Sequence, residues 1–449
     1  MVSEERKADM RRMVAIADDL SGAAETAAAL MALGVGSPVE RSGPLVEIVL
    51  VPADASELGV DLAAHDLCVF DSDGRTASIA EAQRRLRRLL QGAASASAQQ
   101  LVVFLKVDSL LRGHLANDLA VMIDRGPVVL ALALPKLGRT TSGGVVMVNG
   151  VPLHEADLWN GEGREAPHSI EAAIAPLPTG TVGIALVRGD PLELDREIAA
   201  LASRGAVAIC DAATTEDLDR IAHATVRLDR AQPVGSSAFG YAVRKALLPA
   251  DAAAVSPPSP HLEVGARDDV HGREGVGSQR SPGPVLVVVG TASAQGRAQL
   301  KALSDSGVPT ITVRADELLA GSADSAAVGA ALLAGPVAVT VDSTRVEGAA
   351  PAAVALALAT FVTPVAGGIP LVLTGGATAR SVLDSLGVRR LEPITEIEQG
   401  AVLSRTDQGS LVVTRPGAFG GVGSLRLILD HLAHLNDDAA PAPQREVSP

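Results

Sequence analysis

Hydrophobic and polar positions along the chain follow two alternating patterns. Short unbroken apolar runs occur at 13–17 (MVAIA), 46–51, 67–71, 101–106, 127–134, 182–187 and 206–210. They read as strands covered on both faces, since a strand with one wet face would alternate. Between them, apolar residues recur every three or four positions, the helix period. The stretch 78–91 is the clearest case: Ser78 and Glu81 form a capping box, and Ile79, Leu86 and Leu90 share one side. Its Arg84, Arg85, Arg87 and Arg88 read as a solvated outer face. The same alternation resumes with VLVVVG at 285–290 and predicts further strands at 308–313, 336–341, 370–374 and 410–414. The uncharged stretch 352–373 is broken by Pro364, Gly367, Gly368 and Pro370, so it predicts a helix, a turn and a strand, not a membrane span.

The two runs are separated by residues 251–284, rich in Pro, Gly and Ser, with scattered charge and no period; this reads as a flexible linker. The expected organisation is a domain at 12–250, the linker at 251–284 and a second domain at 285–436, with frayed ends at 1–11 and 437–449. The fold class is α/β: two three-layer α/β domains with mainly parallel sheets and a ligand cleft between them.

Composition narrows the chemistry. The chain has 449 residues, 47% hydrophobic but only 2% aromatic, so its cores are built from Ala, Val, Leu and Ile. A net charge of −14 excludes a binder of nucleic-acid backbone, and an anionic small substrate would need locally clustered Arg or Lys. Cys68 and Cys210 sit in apolar runs and read as core thiols of a reducing cytoplasm. The charged N-terminus MVSEERKADMRRM has no secretory signal pattern. A cytoplasmic protein with small-molecule partners is expected, with a homodimer left open.

Three stretches of the first domain carry candidate chemistry. IADDLSGAAE (16–25) places Asp18 and Asp19 at the end of a strand, where open α/β sheets bind ligands. One carboxylate can cap the following helix; the second is left for a hydroxyl, a proton or a magnesium ion. KVDSLLRGHL (106–115) puts Lys106, Asp108, Ser109 and Arg112 at another strand end, with His114 nearby; an Arg fork suits a carboxylate or phosphate. LPKLGRTTSGGVVMVNGVPL (134–153) surrounds Arg139 with glycines and hydroxyls, and Gly143 and Gly144 would present amides to an anion. In the second domain, LVLTGGATARSVLDSLG (371–387), VTRPGAFGGVGSL (413–425) and VVVGTASAQGRAQL (287–300) are strand–glycine turns that suit a nucleotide's phosphates. No P-loop and no dinucleotide fingerprint occurs. CVFDSDGRT (68–76) approaches the haloacid-dehalogenase phosphatase signature, with Asp71 as nucleophile, but Arg75 stands where Thr or Val belongs.

The ordered set IADDLSGAAE, KVDSLLRG, GRTTSGGVVMVNGVPL, DAATTEDL (211–218), LVLTGGATA and VVTRPGAFG resembles the four-carbon acid sugar kinase family, long catalogued as a domain of unknown function. The resemblance implies an N-terminal acid-sugar domain, a C-terminal ATP domain and phosphorylation of threonate-, erythronate- or 3-oxo-tetronate-type substrates with ATP and Mg2+. It implies that Asp18, Asp19, Lys106, Asp108, Ser109, Arg112 and Arg139 face the sugar acid. Of these, Asp18, Asp19, Lys106 and Arg112 would take part in transfer. Thr291, Ser293, Gly375, Gly376, Thr378, Gly417 and Gly420 would hold ATP. Where the family usually carries an acidic residue beside the glycine pair, this chain has Ala377. The other readings are the phosphatase using Asp71 and an inactive protein that binds a sugar acid or nucleotide.

Overall fold

The computed structural model describes residues 12–33, 46–52, 67–96, 101–156, 158–159, 164–249, 283–290, 293–342, 350–417 and 419–438. The expected linker lies almost wholly outside these residues, and so does Thr291. The chain divides into two compact units, one of residues 1–258 with 388–393 and one of 259–387 with 394–449.

In chain order, unit 1 contains β1 (Arg12–Ala17), α1 (Leu20–Met31), β2 (Glu47–Leu50), β3 (Leu67–Asp71), α2 (Ile79–Ala96), β4 (Leu101–Lys106), α3 (Leu115–Ile123) and β5 (Val128–Ala131). Three short strands follow, β6 (Arg139–Ser142), β7 (Val145–Val148) and β8 (Val151–Pro152), then α4 (Ile170–Ile174), β9 (Thr179–Val182), α5 (Ile184–Val187), α6 (Pro191–Ser203), β10 (Val207–Cys210), α7 (Thr215–Arg227), β11 (Gln232–Gly235) and α8 (Ser237–Leu247). The main sheet runs β2-β3-β1-β4-β11-β5-β10-β9, parallel throughout. Arg390 and Leu391 extend it antiparallel beside Val49 and Ile48. Strands β6, β7 and β8 form a separate antiparallel sheet.

The chain leaves β1 toward β2 and β3 on one side, then crosses to β4 on the other. This reversal leaves a crevice at the carboxyl ends of β3, β1 and β4, the usual ligand position in such sheets. Period-2 geometry sends Val14, Ile16, Cys68, Phe70, Val103 and Leu105 into one core. Helix α1 lies close to the sheet because Ala23, Ala24 and Ala27 are small and fully buried. Phe104 and Phe239 meet edge to face with ring centroids 6.2 Å apart.

Unit 2 contains β12 (Leu286–Val289), α9 (Ala294–Asp305), β13 (Thr310–Val313), α10 (Ala315–Leu319), α11 (Ala326–Leu332), β14 (Val337–Val341), α12 (Pro351–Ala366), β15 (Leu371–Thr374), α13 (Gly376–Ser385), β16 (Arg390–Glu398, in this unit from Ile394), β17 (Ala401–Thr406), β18 (Leu411–Arg415) and α14 (Ser424–Asp438). Its sheet is parallel across β13-β14-β12-β15-β18, with β17 antiparallel to β18 and β16 outside β17. No helix among the described residues is long and apolar enough to cross a membrane.

Most apolar runs are strands in the structure, with three instructive departures. The run 182–187 is split: β9 ends at Val182, and Gly183 opens the helical turn α5. An apolar run alone does not separate a buried strand from a buried helical turn. Strand β11 was not expected, because Gln232, Pro233 and Gly235 leave it almost no apolar signal. Arg85, expected on the solvated face of α2, is 9% exposed and turns inward to bind the Ser72 and Asp73 carbonyls. Cys68 and Cys210 are buried free thiols, and burial pushes Cys68, beside Glu47, up to about 12.

Candidate active site

The crevice of unit 1 is built from three strand ends. After β1, Asp19 caps α1, its Oδ1 accepting from the Gly22 amide at 2.9 Å. After β3, the loop 72–75 folds back onto β1: the Ser72 hydroxyl donates to the Ala17 carbonyl at 2.9 Å, and the Gly74 and Arg75 amides both donate to the Asp18 carbonyl. Arg85 fastens the loop from behind, at 3.2 Å from the Ser72 carbonyl and 2.7 Å from that of Asp73. The loop delivers the Arg75 guanidinium to both carboxylates. Nε and Nη2 donate to Asp18 at 2.8 and 2.7 Å, and Nη1 donates to Asp19 at 2.8 Å.

After β4, Lys106 is 4% exposed and its Nζ donates to the Val107 carbonyl at 3.0 Å. A Cβ at residue 22 would stand 2.9 Å from that Nζ, so the glycine lets α1 and the lysine approach. Asp108 accepts from Arg112 Nε at 2.6 Å and Nη2 at 2.9 Å. Arg139, at the start of β6, donates to the Ser109 hydroxyl at 2.7 Å. Glu25, two helical positions beyond Ala23 on α1, has a buried Oε1 without a partner.

The electrostatics follow from this crowding. Burial raises Asp19 above the usual carboxylate range and Asp18 adds to it, while Arg75, Lys106 and the Gly22 amide oppose the rise. Burial would raise Asp108 too, but Arg112, with Arg75 and Lys106, overrides it and holds the carboxyl well below that range. Burial lowers Arg139. Asp118, in the first turn of α3 and 8% exposed, is pushed up to about 8 by burial and by Asp18.

The structure therefore gathers Asp18, Asp19, Lys106, Asp108, Ser109, Arg112 and Arg139 into one connected cluster. It adds Arg75, Glu25 and Asp118, which sequence reasoning did not choose. Arg75 carried a usable signal: like Asp108 and Arg112 after β4, it lies in the polar loop that follows a buried apolar strand. Asp71 is fully buried, and its Oδ1 accepts from the Asp73 amide at 2.9 Å. It is closed to an incoming phosphate, which argues against the phosphatase reading. His114 sets its Nε2 2.8 Å from the Ala77 carbonyl, tying two loops. The glycine turn at 143–144 does cradle an anion, but the anion is the chain's own. Asp211 accepts from the Gly143 amide at 2.6 Å and the Gly144 amide at 3.0 Å.

In unit 2, β15 runs into Gly375, whose φ of +97° suits glycine, and α13 begins at Gly376 with no side-chain cap. Gly290, after β12, packs against Thr378 so closely that a Cβ would lie 1.8 Å from its hydroxyl. Beneath the turn, the Thr374 hydroxyl is buried without a partner. An uncapped ten-residue helix start beside an orphaned hydroxyl fits a phosphate. Other expected nucleotide residues have structural partners. Ser293 caps α9 by accepting from the Gly296 amide at 3.0 Å and donates to the Gly417 carbonyl at 3.2 Å. The Gly420 carbonyl accepts from Gln295 at 2.6 Å and Gln299 at 3.1 Å. These contacts hold the loop after β18 against α9.

A charged crevice at the switch point of one parallel sheet and an open, glycine-led helix start in a second α/β unit make this a two-unit α/β protein with two places suited to anionic groups. Residues 13–243 match the sugar-binding N-terminal domain family, and residues 286–425 match the nucleotide-binding C-terminal domain family. The chain is 32% identical over 441 residues to D-threonate kinase of Cupriavidus necator, covering 91% of this chain and 95% of that one. It is 27% identical over 442 residues to 3-oxo-tetronate kinase of Methylobacterium radiotolerans, covering 93% and 98%. A solved Haemophilus influenzae protein of a domain-of-unknown-function family shares the fold, with a TM-score of 0.60 at 18% identity over 93% of this chain and 100% of that one. This chain belongs to the four-carbon acid sugar kinase family.

Proposed function

We propose that this protein transfers the γ-phosphoryl group of ATP to a hydroxyl of a four-carbon sugar acid of the threonate, erythronate or 3-oxo-tetronate type. Mg2+ would accompany ATP on its phosphates. The observation that carries the reading is the gathering of Lys106, Arg112 and Arg139 at the crevice of a chain whose net charge is −14. Such a cluster recruits an anionic substrate that the rest of the surface repels.

Arg112 spends Nε and one Nη2 proton on Asp108 and keeps its Nη1 donors for the substrate carboxylate. Arg139 lies beside Ser109 and would share that anion. Asp19 would take the proton of the accepting hydroxyl. Each of its oxygens has accepted one hydrogen bond and keeps a free lone pair, and burial raises its affinity for a proton. As the proton leaves, the acceptor oxygen bonds to the γ-phosphorus, the bond to the β-phosphate oxygen breaks, and ADP departs. Lys106 has N–H groups left to neutralise the moving phosphoryl charge. Gly375, Gly376 and Thr378, at the start of α13, would receive the nucleotide's phosphates.

Phosphorus NMR of the purified protein with ATP, Mg2+ and a panel of four-carbon sugar acids tests this. A new phosphomonoester signal with matching ADP is expected for at least one acid. ATP left intact across the panel, in folded protein, would refute the reading and favour a binding protein without transfer.

A further inference from the structure

We propose that Arg75 is the positioning residue of the site: by gripping Asp18 and Asp19 at once it lets two adjacent carboxylates, one buried and one half-buried, coexist, fixed and charged, so that Asp19 can act as base. The inference rests on the kinase reading above for the catalytic part of its claim. It starts from a conflict in the sequence. Two consecutive aspartates at a buried strand end repel each other and are both disfavoured by loss of water. One guanidinium resolves the conflict geometrically. Its two edges reach different residues, with three donors at 2.7 to 2.8 Å.

The grip is built independently of the side chain that makes it. The Arg75 amide and the Gly74 amide bind the Asp18 carbonyl, and Arg85 holds the Ser72 and Asp73 carbonyls. The loop therefore keeps its path when the guanidinium is removed, and the variant is expected to fold. The groups that bear on Asp19 are Asp18 from its own turn, Arg75 from the β3 loop, Lys106 from the end of β4 and Arg112 from the loop beyond it. Asp118 on α3 bears on Asp18, and Asp108 bears on Arg75. Burial is the largest influence raising Asp19, and Arg75 is the largest opposing it. Removing Arg75 leaves Lys106 and the Gly22 amide as its main counterweights.

The test compares wild type with Arg75→Met and Arg75→Lys, by kinetics and by urea unfolding, across pH. In kinetics, Arg75→Met is expected to lower kcat by at least about 10-fold with KM changed less than about threefold, and to move the acidic limb of the rate profile up by about one pH unit or more. Arg75→Lys keeps the charge but reaches fewer oxygens, so it should restore much of the limb and less of kcat. In unfolding, a further raised Asp19 makes the folded state hold a proton that the unfolded chain has lost. The urea midpoint of Arg75→Met should then fall further below wild type at pH 8 than at pH 5, and Asp19→Asn in the same background should remove that difference. A midpoint loss independent of pH would overturn the proposal and leave Arg75 a loop brace. The unfolding result decides this even if no sugar acid is phosphorylated, whereas absent transfer by wild type refutes only the kinase reading.

Discussion

Asp211 gives the sharpest test of how unit 1 holds its site together. Its side chain is part of a residue 2% exposed, and its two oxygens take the amides of Gly143 and Gly144. Beside it, the Thr141 amide donates to the Ala212 carbonyl, and the Ala212 amide donates to the Thr141 hydroxyl, each at 2.8 Å. The β6–β7 hairpin, which begins with Arg139, thus hangs from the end of β10. Asp211→Ala removes both acceptors. Gly143 is exposed and water can take its amide, so that loss is about 1 kcal/mol; Gly144 is buried, and leaving its amide unpaired costs about 1–3 kcal/mol. The expected destabilisation is roughly 2–4 kcal/mol for Asp211→Ala. Asp211→Asn keeps one acceptor and should lose about half as much. Trp159, the single tryptophan, is buried in unit 1 with its indole N–H on the Leu110 carbonyl, so urea unfolding followed by its fluorescence reports on this unit. Loosening the hairpin should also raise KM for the sugar acid through Arg139. An Asp211→Ala protein within about 0.5 kcal/mol of wild type would refute the argument.

Other perturbations separate the two units and the charged groups. Asp19→Asn should lower kcat by about 10²–10⁴ with substrate binding largely kept, measured by steady-state kinetics and calorimetric binding of the acid; unchanged kcat would remove it as base. Gly290→Ala forces a methyl onto Thr378 and should abolish ADP binding by calorimetry, while the Trp159 transition of unit 1 stays in place. Asp118, at about 8, keeps its proton in the folded chain between about pH 4 and 8, where the unfolded chain has lost it, so stability falls as pH rises through that window. Asp118→Asn should remove this fall and gain on wild type steadily from pH 4.5 to 8; parallel pH profiles in urea unfolding would contradict the assignment.

The order of elements was legible because a parallel sheet buried on both faces writes itself as apolar runs. Those runs located β1, β3, β4, β12, β15 and β18, whose ends carry the candidate sites. Strand β11 was invisible for the converse reason: QPVG sits between β4 and β5 and is buried by its neighbours with Val234 as its one aliphatic core residue. The crossing of 388–393 into unit 1 left no signal either, because a two-residue antiparallel pairing has no pattern. Arg85 failed as a surface residue because helical position fixes a direction, while a long side chain can turn back along the helix to reach carbonyls.

The site shows the same division between what a strand end announces and what only partners decide. Asp18, Asp19, Lys106, Asp108 and Arg112 could be chosen because charge directly after a buried strand costs free energy unless it is paired or used. Which charges pair was not readable. Arg112 turned toward Asp108, four positions away, while the Asp18–Asp19 pair found its cation 56 and 57 positions away, in a loop first set aside as a spoiled phosphatase signature. The glycine pair at 143–144 made the opposite error attractive. Its amides do collect an anion, as glycine turns do, but Asp211 from a distant strand end already supplies it. A cradle filled by the chain builds structure, and a cradle left uncapped, as at the start of α13, is free to build function. The distinction lies in the partner, so it emerges only once the fold brings distant strand ends together.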